Sequence, residues 1–243
     1  MTIPVRAVDI PAAVRTLARR ERLGTGQVVW INQQGGLTVA FPEARQYVKW
    51  VPHHPEFDVV DEAARLDWAG QWARVPEVID LGTDDHGAWL RTRAVPGRSA
   101  VDPRWVAEPR TAVRAIGTGL RALHDRLPVT ECPFDWSLAT RFAWIQRPED
   151  RVLIGQAPPI ERLVVCHGDA CAPNTLLDDD GQYAAHVDLG RLGLADRWAD
   201  LAVATYSLEW NYAGDWTDEL LEAYGVERDD ARIGYYRRLW DAT

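Results

Sequence analysis

The sequence predicts an α+β chain of two lobes, a strand-rich first third followed by a mostly helical remainder. Three observations carry that prediction. Short β-branched and aromatic runs separated by tight polar turns crowd the chain up to Val95. From Asp102 onward, apolar residues recur at helical spacing. Between the two regions Pro96-Gly97 breaks the pattern, which divides the chain into lobes of residues 1–94 and 95–243.

The elements follow in order. Pro11 to Arg22 sets Ala12, Val14, Leu17 and Ala18 among arginines, a short surface helix for which Asp9 offers the cap. Val28–Ile31, Leu37–Phe41 and Tyr47–Val51 read as three antiparallel strands, with the polar Asn32–Gly36 turn after the first. Asp58 to Trp72 is helical, carrying Val59, Ala63, Leu66 and Ala69 along one side. Val75–Leu81 and Ala88–Val95 are two further strands about a Gly82–Gly87 turn. Asp102-Pro103 starts a helix that runs to about His124, and Trp136 to Gln146 makes another. Leu163–Cys166 and Tyr183–Leu189 are short strands. Helices then cover Asp196–Trp210, Trp216–Tyr224 and Asp229–Trp240.

Composition narrows the function classes. Hydrophobic residues make up 47% and charged residues 26%, a soluble balance that excludes wholesale disorder. No run approaches a membrane-spanning length and the first residues lack a secretory apolar segment, so the expected compartment is the cytoplasm, without a membrane partner. The 36 acids against 27 bases leave a formal charge of −9, which argues against a nucleic-acid surface and allows a cationic partner. Cys132, Cys166 and Cys171 make neither a disulfide framework nor a zinc spacing. Of the 27 basic residues only Lys49 is lysine, and it falls inside the third strand. A site that needs a compact point charge on a slim stem would keep lysine where arginine is otherwise the rule. Chance survival is the plain alternative.

The densest polar stretch is Cys166-His167-Gly168-Asp169-Ala170-Cys171-Ala172-Pro173-Asn174, directly after a strand. A second strand ends in Val187-Asp188-Leu189-Gly190. Carboxylates and an amide at two strand tips can converge on a divalent cation, and magnesium takes oxygen ligands. Asn174 and Asp188 supply such oxygens, leaving Asp169 to receive a proton from an attacking hydroxyl, the division of labour used in phosphoryl transfer. Each residue alone would be an ordinary turn former. Their joint spacing is the pattern of kinase catalytic and metal loops. His167 is read as packing under the loop and bonding its backbone, in preference to a metal ligand. Cys166 is read as a buried hydrophobe in preference to a nucleophile.

His167-Gly168-Asp169-x-x-x-Pro173-Asn174, with Asp188-Leu189-Gly190-Arg191-Leu192-Gly193-x-Ala195-Asp196-Arg197-x-x-Asp200-Leu201, resembles the signature of the aminoglycoside phosphotransferases, most closely the 3′-type enzymes that inactivate kanamycin and neomycin. The likeness extends to Gly36-Leu37-Thr38 and Val48-Lys49-Trp50 as nucleotide loop and lysine strand, to Trp89–Gly97 as hinge, and to Tyr235–Asp241 as last helix. It implies a two-lobed protein-kinase-like fold, with an N-terminal antiparallel sheet and helix and a mostly helical C-terminal lobe. It also implies transfer of the γ-phosphoryl of ATP (GTP being the alternative), with Mg²⁺, to an aminoglycoside hydroxyl, conferring resistance.

By the same resemblance Lys49 would hold the nucleotide phosphates and Glu62 would orient it, with Glu56 and Asp61 as weaker candidates. Backbone N–H groups of the Asn32–Gly36 turn would face the triphosphate, although the turn lacks a full Gly-x-Gly-x-x-Gly. The backbones of Thr92 and Ala94 would read adenine; Arg91 and Arg93 are unusual neighbours there, which strand alternation would point outward. Asp169 would be catalytic, Asn174 and Asp188 would hold the metal, and an Arg191–Asp200 ion pair would brace the loop. Asp169, Glu209 and Asp241 would contact the drug's amines.

Between Asp196 and Asp230 ten acids face two bases, a field that attracts a polycation or simply a solvated acidic face. Trp198, Trp210, Trp216 and Trp240 are read as core anchors. The tail Trp240-Asp241-Ala242-Thr243 is less acidic and aromatic than the tail common in the 3′-type enzymes. Rival readings are a kinase of another small-molecule alcohol (streptomycin, a peptide antibiotic or a metabolite), a non-catalytic nucleotide-binding module, and a hydrolase using metal at His167 and Asp169.

Overall fold

A computed structural model describes residues 8–32, 35–53 and 59–243. The chain forms two compact units, Met1–Gln71 with Val75–Val95, and Trp72–Arg74 with Pro96–Thr243. The division falls one residue beyond the expected lobe boundary, and a three-residue piece of the first region joins the second unit.

The first unit is built on a five-stranded antiparallel sheet. Its elements are α1 (Ala12–Glu21), β1 (Gln27–Ile31), β2 (Leu37–Phe41), β3 (Gln46–Pro52), α2 (Val59–Ala69), β4 (Val78–Thr83) and β5 (Gly87–Arg93). The strand order is β1-β2-β3-β5-β4, so β5 returns between β3 and β4. Alternation along the strands sends Leu37, Val39, Phe41 and Val48 to one face, where Val14 and Leu17 of α1 close a core over them. Lys49 leaves the opposite face, paired across the ladder with Thr38 and Leu90. α1 stops at Arg22, which adopts a left-handed conformation, and its N-cap is Pro11 with no side-chain bond; the cap expected from Asp9 is not made. The Gly82–Gly87 turn tightens because Asp84 Oδ1 accepts the N–H groups of His86 and Gly87, letting β4 run on to Thr83.

The second unit contains β6 (Arg98–Ser99), α3 (Pro103–Val106), α4 (Pro109–Arg126), α5 (Leu138–Trp144), α6 (Pro148–Ile154), β7 (Leu163–Cys166), β8 (Thr175–Leu177), β9 (Tyr183–His186), β10 (Gly193–Asp196), α7 (Trp198–Asn211), α8 (Thr217–Tyr224) and α9 (Asp230–Asp241). The helix expected from Asp102 to His124 is two helices, because Pro109 opens a new one at its first turn. α4 packs against α8 so closely that a Cβ on Gly117 would come within 2.5 Å of the Leu220 carbonyl oxygen. α7 packs on α9, and Trp105, Ile116, Leu120, Trp198, Leu201 and Tyr236 lie in one core. Two small antiparallel ladders, β6-β8-β9 and β10-β7, carry the loops of interest. β9 ends at His186, short of the expected Leu189, because Asp188 turns to φ 62°. No helix among the described residues is long and apolar enough to cross a membrane.

Candidate active site

In the first unit the lone lysine has a partner. Lys49 Nζ donates to Glu62 Oε2 at 2.7 Å, from the middle of β3 to the first turn of α2. Glu62 is buried, whereas Asp61 is exposed and paired with Arg65. Glu56 lies outside the described residues. Arg91 and Trp89 share the α1 face of β5, and Arg91 is buried there between Glu21 (3.1 Å) and Asp80 (3.2 Å). Arg93 pairs with Glu77. Alternation leaves Leu90 and Thr92 on the face of Lys49.

Backbone groups expected to meet the nucleotide have partners within the unit. The Ala94 N–H is donated to the Arg45 carbonyl at 2.9 Å, so it is committed within the unit. In the Asn32–Gly36 turn, Gly36 N–H donates to Asn32 Oδ1 and Gly35 N–H to Asn32 O, and residues 33 and 34 lie outside the described residues. The Asn side chain closes the turn on itself, an interaction that sequence reading assigned to an anion.

In the second unit, β7 delivers the chain into a loop held from behind by one carboxylate. Asp200, in the first turn of α7 and fully buried, accepts the N–H groups of His167 (2.6 Å) and Gly168 (2.9 Å) and the Nε2 proton of His124 (2.9 Å). Burial would raise its pKa; hydrogen bonding and charge from His124, with the loop amide, outweigh it and hold Asp200 below the usual range. Gly168 has φ 83°, and a Cβ there would meet the Arg191 carbonyl at 2.0 Å, so the two loops touch backbone to backbone. His167 is buried; its Nε2 donates to Val187 O at 3.0 Å and its Nδ1 accepts the Asp169 N–H at 3.3 Å. Both ring nitrogens are spent on backbone, the supporting role read from the sequence.

At the front of the same loop, Asn174 Nδ2 donates to the Asp169 carbonyl (2.9 Å), and Val187 N–H donates to the Asn174 carbonyl (3.0 Å). These bonds bring Asp169, Asn174 and the Val187-Asp188 tip together. The Asn174 amide spends its nitrogen on the loop, and its oxygen is the atom of that side chain able to ligate a cation. Asp169 Oδ1 is buried without a hydrogen-bond partner. Burial, and then the charge of Asp188, push the Asp169 pKa up. Oxygen donors from Asn174 and Asp188 are the set a hard divalent cation takes. The Cys166 thiol donates to Asp196 O (3.4 Å), and burial pushes its pKa well up, so it stays a thiol.

The expected Arg191–Asp200 ion pair is absent among the described residues. Arg191 instead lies over the rings of Trp136, Trp144 and Trp240 at 5.5, 5.6 and 5.5 Å, and Asp200 takes His124. His124 is the residue that sequence reading missed; its signal was a histidine at a core position of an amphipathic helix. Ser207 was also missed: its Oγ accepts the Ala172 N–H at 2.9 Å and ties the loop to the middle of α7.

The acidic stretch is not a free field. Seven of its ten acids have a basic partner: Asp196 and Asp229 with Arg232, Asp200 with His124, Glu209 with Arg237, Asp218 and Asp230 with Arg228, and Glu219 with Arg110 and Arg114. Glu209 is half-exposed at the end of α7, and Asp241 closes α9. Burial raises the Asp241 pKa and the charge of Arg237 opposes it. Trp198 is core, but Trp210 is 54% exposed, so it is no core anchor.

A family model described as the phosphotransferase enzyme family matches residues 43–239. An aminoglycoside 3′-phosphotransferase of Streptomyces fradiae is 37% identical over 232 residues, covering 82% of this chain and 85% of that protein. A streptomycin 3″-kinase of Streptomyces griseus is 33% identical over 254 residues, 89% of this chain and 91% of that one. The solved aminoglycoside phosphotransferase of Streptomyces rimosus matches with a TM-score of 0.79 at 28% identity, over 96% of this chain and 97% of that chain. In complex with ADP and streptomycin it matches with 0.71 at 27%, over 96% and 99%.

Proposed function

The chain belongs to the phosphotransferase enzyme family, and we propose from that premise that it moves the γ-phosphoryl group of ATP to a hydroxyl of an aminoglycoside, the 3′-hydroxyl of a kanamycin-type drug first. The observation that carries the reading is the front of the loop. A carboxylate oxygen, Asp169 Oδ1, is buried without a donor beside the oxygen ligands Asn174 and Asp188. A carboxylate raised in pKa, with one of its oxygens left without a donor, is suited to take a proton. In this reading the acceptor hydroxyl gives its proton to Asp169 as its oxygen bonds to the γ-phosphorus, and ADP leaves. Asn174 and Asp188 fit Mg²⁺, whose charge, when bound, offsets that of the phosphates. Lys49, oriented by Glu62, holds the α- and β-phosphates, with Thr92 on its face of the sheet beside adenine. Asp169, Glu209 and Asp241 meet the acceptor's amines.

Streptomycin is a second acceptor reading, supported by the 33% identity to the Streptomyces griseus kinase. One experiment addresses both: nucleotide turnover with Mg²⁺ across kanamycin, neomycin and streptomycin, with mass spectrometry of the acceptor, for wild type and Asp169→Asn. One phosphoryl group added to kanamycin or neomycin, and a drop of about 10²- to 10⁴-fold in Asp169→Asn, is the expected result. Streptomycin alone gaining the group would move the assignment to the second reading. Phosphate release without a phosphorylated acceptor would sink both.

A further inference from the structure

One face of α7 carries Tyr206, Glu209 and Trp210, spaced three and four residues apart. One face of α9, packed on α7, carries Arg237 and Asp241, four apart. Arg237 Nη1 donates to Glu209 Oε1 at 2.5 Å, and the guanidinium carbon sits 4.9 Å over the Tyr206 ring. The Tyr206 ring is itself backed by Trp210 at 4.5 Å. The Asp241 and Asp215 carboxylates both feel the Arg237 charge. Arg237 Nε is buried and has no hydrogen-bond partner. Carboxylates around an aromatic face are the chemistry that recognises an ammonium or guanidinium group. Here the recognised cation is the protein's own.

The pair is also labile. The Arg237 side chain is 21% exposed and that of Glu209 51%, so water competes for the bond and the pair is weak. Of the arginines that neutralise the acidic stretch, this one holds an acid for which an acceptor-binding role is proposed above.

We propose that Arg237 is a specificity-determining residue for the acceptor: it fills the cation place formed by Tyr206, Glu209 and Asp241, and an amine-bearing acceptor must exchange with it. This rests on the aminoglycoside reading. The exchange is ion for ion, so each acceptor is selected by whether it carries a cationic group at that place, beyond its overall charge. Acceptors whose amines lie elsewhere gain nothing from the exchange and meet a neutralised Glu209.

The test is steady-state kinetics of wild type, Arg237→Met, Arg237→Lys and Glu209→Gln, with kanamycin or streptomycin as acceptor and the KM for ATP measured in parallel. Methionine keeps the apolar stem over Tyr206 and removes the charge. The acceptor KM is expected to fall about three- to tenfold in Arg237→Met, to stay near wild type in Arg237→Lys, and to rise in Glu209→Gln. The KM for ATP should not move. In a double variant that combines Arg237→Met with Glu209→Gln the gain from removing Arg237 should shrink, because the acid it releases is gone. An acceptor KM that is unchanged or higher in Arg237→Met, in protein that melts like wild type, overturns the proposal and leaves the aminoglycoside reading standing. If Arg237→Met does not fold, an unchanged acceptor KM in the half-exposed Glu209→Gln overturns it instead. Wild type that phosphorylates no aminoglycoside removes the parent reading, and this proposal falls with it.

Discussion

The back and the front of the loop after β7 each hold a carboxylate, Asp200 fully buried and Asp169 half-buried with its Oδ1 out of solvent, and the two are treated in opposite ways. At the back, Asp200 receives three donors, two loop amides and the His124 ring, and its pKa is held down. At the front, Asp169 Oδ1 receives none, and burial and Asp188 push its pKa up. A carboxylate saturated with donors stabilises the ionised form and fixes the backbone around it. An oxygen buried without a donor, as Asp169 Oδ1 is, costs stability and keeps its lone pairs open. The same residue type is saturated with donors at one end of the loop and keeps a donor-free oxygen at the other.

The largest expected effect comes from breaking the back. Asp200→Ala leaves the His167 and Gly168 N–H groups and His124 without an acceptor in a fully buried place. A loss of about 3–5 kcal/mol is expected, read in a denaturant titration, with a melting temperature lower by roughly 10 °C. The pH dependence fixes the cause. The folded-state pKa of Asp200 lies below its unfolded value, so its contribution is full above the ordinary carboxylate range and fades as pH falls through the folded pKa. The deficit of the variant should therefore narrow below about pH 4. A melt within a degree of wild type at neutral pH would break the comparison.

The front should behave in the reverse sense. Asp169→Asn removes a carboxylate whose ionised form is disfavoured in the folded protein, so at neutral pH it is expected to gain on the order of 1 kcal/mol while losing activity. Here the folded pKa lies above the unfolded one. The penalty is full above the folded pKa and vanishes as pH falls toward the unfolded value. Melting curves from pH 8 down to pH 4 should show the advantage of Asp169→Asn shrinking over the same range in which the Asp200 contribution is still intact. A variant less stable than wild type at neutral pH would place Asp169 among the structural groups.

The sequence carried the front of the loop better than the back. The Asp169, Asn174 and Asp188 spacing is local to two strand tips, so it could be read along the chain. His124 meets Asp200 across 76 positions, a pairing that only the packing of α4 on the β7 loop creates. The strands of the first unit were legible because β-branched and aromatic runs between polar turns mark them, although β4 lies at Val78–Thr83 and not at Val75–Leu81. β8, of three residues, and β10, of four, are too short for any period to show. α6 went unread because Val152 and Leu153 point into solvent, so it has no apolar face to reveal it. Backbone commitments left no trace either, as the Ala94 N–H on Arg45 shows.

A third carboxylate grades the comparison. Glu62 accepts from the Lys49 ammonium at 2.7 Å, and its side chain is 10% exposed against 22% for the lysine, which sets it apart from both Asp200 and Asp169. The lysine of the pair is still partly open to water, which can solvate its charge, and glutamine keeps the shape of Glu62 and an acceptor oxygen. Glu62→Gln is therefore expected to shift stability by no more than about 0.5 kcal/mol, the smallest change of the three. Its effect should appear in nucleotide use, because a lysine released from Glu62 is free to leave the direction that β3 and α2 impose on it. The kcat/KM for ATP is expected to fall about ten- to a hundredfold, with the acceptor KM little changed. Isothermal titration with ADP would show the same loss in binding. If Glu62→Gln instead destabilised the protein by several kcal/mol with ADP affinity intact, the pair would be a structural strut like Asp200 and the gradation would fail.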